Sequence, residues 1–303
     1  MHVHLIDGTY ELFRHHYAPN NDDPQRGAVA GVMRSMVWLL ERGGPDDTPV
    51  THIGVATDHV IESFRNALWP TYKSSEGMPP ELLAQFHPLE DGLRALGMVV
   101  WAMTDLEADD ALATAAAQAD ADQRVRQVII ATPDKDLGQC VRGSRVIQWD
   151  RMRGNVRDAD GIFDKNGVPP VSIPDWLALV GDSADGFPGI PGFGAKTAAR
   201  LLTRFGHLDH IPADPAEWGD GIRGAARLGQ TLAEQRDEAR LFCTLATLVA
   251  DADLGTTVDD LHWTGPTAEF EAVCDEFDLD DLLDRVAALR DGGTKAASAE
   301  VPL

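Results

Sequence analysis

Cysteine is scarce in this 303-residue chain. Its three copies, Cys140, Cys243 and Cys274, form no CxxC pair and leave an odd count, which argues against a disulfide framework and against a thiolate-ligated zinc site. They read as packing residues. Long hydrophobic runs are missing as well. No stretch approaches the roughly 18 to 20 consecutive apolar residues of a membrane span, and the opening MHVHLIDG enters a strand-like run without the basic start of a secretion signal. A protein free of the membrane and located in the cytoplasm is expected. Lysine is also sparse, with five copies (Lys73, Lys135, Lys165, Lys196 and Lys295) against a formal net charge of -23. Phosphate contacts normally come from Lys and Arg, so this sum disfavours a nucleic-acid partner unless the few cations are concentrated in one place. Three of them, Lys73, Lys135 and Lys196, fall inside motifs described below. Most of the carboxylates read as a solvated, aggregation-resistant surface.

Short apolar runs lie at His4 to Ile6, Thr51 to Ala56, Met98 to Trp101, Val128 to Ala131 and Val146 to Trp149. Segments with helical spacing separate them. Gly27 to Leu40 places Val29, Val32, Met33, Met36, Val37 and Leu40 near one face, and Ala108 to Ala119 is rich in alanine. Breakers at Gly43-Gly44-Pro45 and Gly77-Met78-Pro79-Pro80 stand where connections are needed. The alternation predicts βαβ units and an α/β, doubly wound parallel sheet, and continuous runs suit strands covered on both faces. After about Asp150 the strand series stops, and helices joined by Gly- and Pro-rich turns follow. We place a boundary near residue 170: a first region of residues 1–170, a helical second region of 171–290, and a small, polar tail of 291–303 that is expected to fray.

The acids follow the apolar runs. HLIDG ends in Asp7 and its glycine, and GVATD ends in Asp58; the third run leads into LEADDAL with Glu107, Asp109 and Asp110, and the fourth into TPDKDL with Asp134 and Asp136. In a parallel sheet these C-terminal ends share one edge, where the binding crevice of open α/β folds lies. Any one acid is adequately explained as a helix cap or turn residue. Capping does not require an E-x-D-D or D-x-D pair, so all four sites together point elsewhere. Converging carboxylates repel one another, and cations relieve that repulsion. Oxygen ligands favour Mg²⁺ or Mn²⁺ over zinc. Two such ions roughly 4 Å apart can clamp a phosphodiester, so phosphodiester hydrolysis is the reaction expected. His2 and His4 on a strand, and His15 and His16 on a helix with Tyr10, are better explained by those settings than by metal ligation.

The segment from Val180 to Leu202 adds Asp182 and Asp185, then GIPGFGAKTAARLL, a glycine-rich hairpin feeding a helix that starts near Ala195. Gly189, Gly192 and Gly194 would let backbone amides approach a phosphate, the helix start favours an anion, and Lys196 beside Thr197 adds a point charge. Such a grip holds a nucleic-acid backbone without reading sequence. A lone GxG would be an ordinary turn between helices; the full G-I-x-G-x-G-x-K-T-A string is more specific. No GxxxxGK[ST] phosphate loop is present.

Taken in order, D-G near the start, TD, EADD, TPDKDL, GDSAD and GIPGFGAKTA resemble the 5′ nuclease domain of bacterial DNA polymerase I and its stand-alone relatives, the flap endonuclease and 5′ exonuclease family. The likeness covers roughly residues 3–285. It implies a PIN-like nuclease core, a helix-three-turn-helix variant of the helix-hairpin-helix in the second region, and hydrolysis near junctions of single- and double-stranded DNA. No polymerase follows, so a stand-alone enzyme is expected. By position, the resemblance implies that Asp7, Asp58, Glu107, Asp109 and Asp110 serve a first metal and Asp134, Asp136 and Asp185 a second. Asp109 would be shared, and Asp182 would act from the outer sphere. It makes the stretch near 62–90 an arch or gateway whose Arg65 and Lys73 stabilise the pentavalent transition state. Tyr72 or Phe64 could stack on a base, although packing explains either as well. Where relatives often carry a further basic residue three positions after that lysine, this chain has Glu76. The implied cofactors are two or three Mg²⁺ or Mn²⁺ ions, with K⁺ at the hairpin. The implied partner is DNA with a 5′ flap or a 5′ end at a junction, with RNA–DNA hybrid as a further substrate, bound by a monomer.

Two other classes compete. A DNA-junction binding protein that kept the hairpin and lost its chemistry would suit Glu76, but the complete acid set argues against it. A PIN-type ribonuclease would be much shorter and would need no hairpin.

Overall fold

The computed structural model of the chain describes residues 1–290; the tail expected to fray, 291–303, lies outside the described residues. Each apolar run forms a strand: β1 (His2–Asp7), β2 (His52–Asp58), β3 (Val99–Met103), β4 (Gln127–Ala131) and β5 (Val146–Asp150). A short β6 (Asn155–Arg157) follows, and the sheet order is β3-β2-β1-β4-β5-β6. Every pairing from β3 to β5 is parallel, whereas β6 runs antiparallel to β5. Sequence reading missed β6 because its Asn155 and Val156 are exposed, so it has no apolar run to announce it.

Alternate strand residues supply two cores, as the period of a strand requires. On one face Ile6, Ile53, Val55, Ile129 and Ile147 pack with the Gly27–Arg42 and Phe86–Ala95 helices. On the other, Val3, Leu5, Val128 and Ile130 meet the Ala108–Ala121 helix. Coverage on both faces buries every residue of β2 and β5, which explains why their sequences lack polar alternation.

A third core joins the Ile173–Val180, Ala195–Phe205, Ala225–Glu234 and Arg236–Ala246 helices through Leu177, Leu201, Leu228 and Phe242. The segment beyond it does not stay there. Trp263 donates its backbone N–H to Thr51 at 2.9 Å, and Phe270, Cys274, Leu282 and Val286 enter the first core. A division that keeps 171–290 together therefore cuts across the packing, because the last two helices bury their apolar faces on the Gly27–Arg42 and Phe86–Ala95 helices of the sheet region rather than on the helices just before them. Cys140 and Cys243 are half-buried and Cys274 is buried, all three free. No helix among the described residues is long and apolar enough to cross a membrane.

Gly54 shows how tightly the sheet is covered. A Cβ there would lie 2.4 Å from the Trp101 ring, whose indole N–H is anchored on the Thr256 hydroxyl at 3.0 Å. Gly54→Val should therefore overpack the site and reduce unfolding free energy by roughly 1–3 kcal/mol, read as a lower urea midpoint with unchanged slope.

Candidate metal centre and nucleic-acid interface

Parallel β1, β2 and β4 deliver Asp7, Asp58 and the Asp134–Asp136 loop to one edge of the sheet. Local hydrogen bonds fix them there. Asp7 caps the helix that follows it, accepting from the Tyr10 N–H at 2.8 Å and from the Thr132 hydroxyl at 2.9 Å. Asp58 accepts from the Ala108 N–H at 2.7 Å, which ties β2 to the helix start that presents Asp109. Asp134 is exposed at the rim and accepts from the Asp136 N–H at 3.0 Å. From the second half, the loop after the Ile173–Val180 helix brings in Asp182 and Asp185. Ligating oxygens of Asp136, Asp182 and Asp185 all lie within 4.8 Å of one another.

Crowding of buried acids shows in their protonation. Burial, reinforced by Asp134 and Asp58, lifts Asp7 to about 7 even though two hydrogen bonds favour its charged form. Burial likewise raises Asp58. Asp109 and Asp136 rise well above the ordinary carboxylate range through burial and the nearby Asp134 charge. Burial with Asp182 close by raises Asp185 to about 6. Asp136 Oδ1 is buried without a hydrogen-bond partner. An orphaned anionic oxygen among repelling carboxylates, with no sulfur or imidazole in the cluster, fits a hard divalent cation. Among the described residues the histidines form no such group: His4 is buried with both ring nitrogens unpartnered, and His15 lies beside Glu11 and Arg14.

Several expected roles change with the geometry. Arg65 does not face a phosphate. It is fully buried, with Nη1 and Nη2 each 2.7 Å from Asp110, Nη1 3.0 Å from Glu107, Nε 2.8 Å from the Leu245 carbonyl and Nη2 3.1 Å from that of Thr247. All five donors are used. Asp110 is equally committed, accepting also from the N–H groups of Glu107 at 3.0 Å and Val249 at 2.9 Å, so no lone pair is left for a metal. Tyr72 is 4% exposed with its hydroxyl 3.4 Å from Glu107, which rules out a stacking platform; of the two aromatics only Phe64, 37% exposed, is open to solvent. Asp182, expected in the outer sphere, has a carboxylate oxygen within 4.8 Å of those of Asp136 and Asp185, while it also accepts from the Ala184 N–H at 2.9 Å. Lys135, within the DKDL motif but given no role, pairs with Asp182 at 2.6 Å. Its position between two acids was the available signal.

Lys73 remains the cation at the mouth. Its side chain is partly exposed, and its ammonium lies 2.6 Å from Glu107. Burial opposes its charge, but Asp58, Glu107, Asp109 and Asp185 hold it well above the ordinary lysine value. Burial would also raise Glu107, yet Lys73 and Arg65 together hold it below its usual range. The 62–90 stretch, expected as the gateway, is stitched to the acid loop of the second half: the Lys73 N–H donates to the Asp185 carbonyl at 3.1 Å, and the Trp69 indole donates to that of Gly186 at 3.1 Å. Gly186 has φ +80°, and a Cβ there would come within 2.0 Å of the Thr71 carbonyl oxygen, so only glycine permits this seam. Glu76 is exposed and makes no ion pair among the described residues.

In the hairpin, Gly192, Gly194 and Lys196 are exposed and Thr197 is half-buried. Gly194 is the residue before the Ala195–Phe205 helix and supplies no side-chain cap, leaving the first amides open to an anion. Gly189 is different. It is buried, and a Cβ would lie 2.3 Å from the Gly181 nitrogen, so it permits backbone contact inside the hairpin rather than approach by a phosphate.

Two measurements check this electrostatic picture. Arg65→Met should cost about 3–5 kcal/mol of stability by leaving two buried carboxylates unpaired, seen in chemical unfolding without any DNA or metal. The second concerns pH. Asp7 and Asp185 titrate near 7 and 6 in the folded chain against an ordinary value of 3.8. The folded state thus holds extra protons between about pH 4 and 7, and the metal-free protein loses that contribution as pH rises through this window. A divalent ion must displace those protons, so Mn²⁺ affinity measured by calorimetry should rise from pH 5.5 to 8, with proton release that fades at the upper end.

Residues 2–168 match the family described as 5′-3′ exonuclease, N-terminal resolvase-like domain, and residues 168–269 match 5′-3′ exonuclease, C-terminal SAM fold. Among curated relatives, DNA polymerase I of Pseudomonas aeruginosa is 35% identical over 317 residues, covering 99% of this chain and 33% of its own length. DNA polymerase I of Rhizobium leguminosarum is 36% identical over 270 residues, covering 86% and 26%. The chain thus spans about a third or less of the polymerases it matches. Among solved structures, the T5 D15 protein co-crystallised with metal ions aligns with TM-score 0.65 and 16% identity over 94% of this chain and all of the other. The catalytic core of Rad2 in complex with DNA substrate aligns with TM-score 0.61 and 15% identity over 93% and 92%. These likenesses establish a shared fold. With both halves of the chain matched in sequence, this protein belongs to the 5′-3′ exonuclease family.

Proposed function

We propose that this chain is a divalent-metal-dependent 5′ nuclease that hydrolyses DNA phosphodiesters at junctions of single- and double-stranded DNA, as a 5′-3′ exonuclease and a 5′-flap endonuclease. The observation that carries the reading is the single acid edge built from both halves of the chain, with Asp136, Asp182 and Asp185 in one close group that continues directly into the hairpin. Support comes from solved relatives of the fold: a T5 flap endonuclease studied with DNA and metal ions, and Rad2 with DNA substrate.

Asp7, Asp58, Asp109 and Asp134 would hold one ion, and Asp136, Asp182 and Asp185 a second; Mg²⁺ and Mn²⁺ suit this all-oxygen set. When bound, such ions supply Lewis-acid polarisation of the phosphodiester. The chain's own residues do the rest. Lys73 donates to a phosphate oxygen at the mouth, where charge accumulates in the transition state. Glu107 receives the ammonium when no substrate is present and so keeps it in place. The Gly192–Lys196 turn holds the backbone of the duplex, and Thr197 lies on the same helix start. Arg65 and Asp110 support this set from behind, through their bonds to Glu107. K⁺ at the hairpin, RNA–DNA hybrid as a second substrate and action as a monomer belong to the same proposal. Glu76 leaves the gateway one cation short of the usual pattern, which should slow turnover without removing it.

The test is release of a 5′ fragment from a flapped duplex with Mg²⁺ or Mn²⁺, compared with gapped, nicked, single-stranded and RNA–DNA substrates. Asp136→Asn and Asp134→Asn should each lower the cleavage rate about 1,000-fold, the several kcal/mol of charge stabilisation that a metal provides, while flap binding persists. Cleavage by either variant at the wild-type rate, or in the presence of EDTA, would refute the mechanism. Tight flap binding without cleavage under both metals would favour the junction-binding reading instead.

A further inference from the structure

An open cleft of about 350 Å³ runs outward from the acid cluster, sharing Asp134, Asp182 and Asp185 with it, and its far side takes no part in the proposed chemistry. Asp134, Lys135 and Asp185 form its inner wall, and Lys165, Asn166 and Trp176 its outer one. The outer residues come from two helices, Ala159–Asn166 and Ile173–Val180. Two of their donors are idle. The Asn166 side-chain nitrogen is buried without a hydrogen-bond partner, and Lys165 is exposed and makes no ion pair among the described residues. Arg157, near enough to oppose the Lys165 charge, also has a buried guanidinium nitrogen without a partner. In a chain with net charge -23, unused donors gathered beside carboxylates point to an acceptor-rich, anionic ligand. Trp176 adds a half-buried indole whose N–H donates to the carbonyl of Ala195 at 3.3 Å, the first residue of the helix that opens toward a phosphate. The cleft therefore bridges the acid cluster and the hairpin.

We infer that this cleft is a subsite for one nucleotide of the DNA strand, the one adjoining the scissile phosphate, with its base against Trp176 and its backbone on Lys165. The inference rests on the nuclease reading above and adds a residue set to it. A planar indole accepts any base, so the subsite fixes the position of the strand and not its sequence. Asn166 offers its free amide to an acceptor on the same nucleotide. The two lysines divide the work: Lys135 is held by Asp182 at 2.6 Å, whereas Lys165 is uncommitted and meets the strand.

The experiment uses the full chain and a 5′-flap duplex carrying 2-aminopurine at each nucleotide flanking the cleavage site in turn, with Ca²⁺ replacing Mg²⁺. One position should be quenched on binding by the wild type. Quenching should persist in Trp176→Phe and vanish in Trp176→Leu, with flap Kd raised roughly 5- to 150-fold in the leucine variant, the range for loss of one base–aromatic stack. Lys165→Ala should lower the log–log salt slope of binding by about one unit. Thermal melting confirms that each variant is folded, and Lys165→Ala, on the surface, tests the site independently of the tryptophan. If the wild type cuts the flap with Mg²⁺ but Trp176→Leu quenches and binds as the wild type does, the subsite is refuted and the nuclease stands. A salt-slope change in Lys165→Ala without any Trp176-dependent quenching would reduce the cleft to a phosphate contact and overturn it. If the wild type neither binds nor cuts, both readings fall.

Discussion

Arg65 holds together the parts on which the site depends. A guanidinium with no exposed surface is tolerable only when every donor is matched, and here two carboxylates and two backbone carbonyls match all five. Arg65 itself lies in the 62–90 stretch, and its partners lie at the start of the Ala108–Ala121 helix and at the end of the Arg236–Ala246 helix. One side chain thereby joins the sheet region to the helical region just behind the acid edge. The same bonds neutralise Glu107 and Asp110, so the remaining carboxylates can converge without two further unpaired charges beside them.

That division sorts nine acids into different tasks. Asp110 and, in large part, Glu107 serve the scaffold. Asp7, Asp58, Asp109 and Asp134 crowd the ends of β1, β2 and β4, where burial and mutual repulsion raise the first three above their ordinary range. Asp136, Asp182 and Asp185 form the close triad. Such a cluster is poorly stable as a set of bare anions, and protons or divalent cations are the two ways of relieving it. The high net negative charge is thus compatible with a nucleic-acid partner, because the charge that meets a phosphate is local. Lys73 lies at the mouth, Lys165 beyond the triad and Lys196 on the hairpin, each placed near the acids or the hairpin rather than scattered over the surface.

The gateway and the second half are also joined at the backbone. Lys73 and Trp69 bond to the carbonyls of Asp185 and Gly186, and the positive φ of Gly186 makes room for that approach. The acid loop of the second half is therefore fixed from two sides: by its own hairpin and by the gateway. Trp176, bonded to Ala195, continues the connection toward the start of the hairpin helix.

Much was legible from residue order. Apolar runs of strand length located β1 to β5, because strands buried on both faces must be apolar throughout. The acids at their ends located the site edge, since parallel strands put their C-termini together. The start of the hairpin helix at Ala195 was legible from its glycines and following helical run. By contrast, β6 carries no apolar run, and the return of residues 258–286 to the sheet depends on which surface remains uncovered after everything else has packed. Sequence spacing also could not distinguish Arg65 from Lys73, or Tyr72 from Phe64, because neighbours along a chain can be turned inward or outward by contacts 35 to 182 positions away. What the sequence by itself determined was the fold class, the acid edge and the start of the hairpin helix, all of which follow from local periodicity and strand direction. Only the tertiary structure decided which charges are satisfied by protein partners and which are left for a metal or a phosphate, because that depends on long-range hydrogen bonds such as those from Arg65 to Leu245 and Thr247.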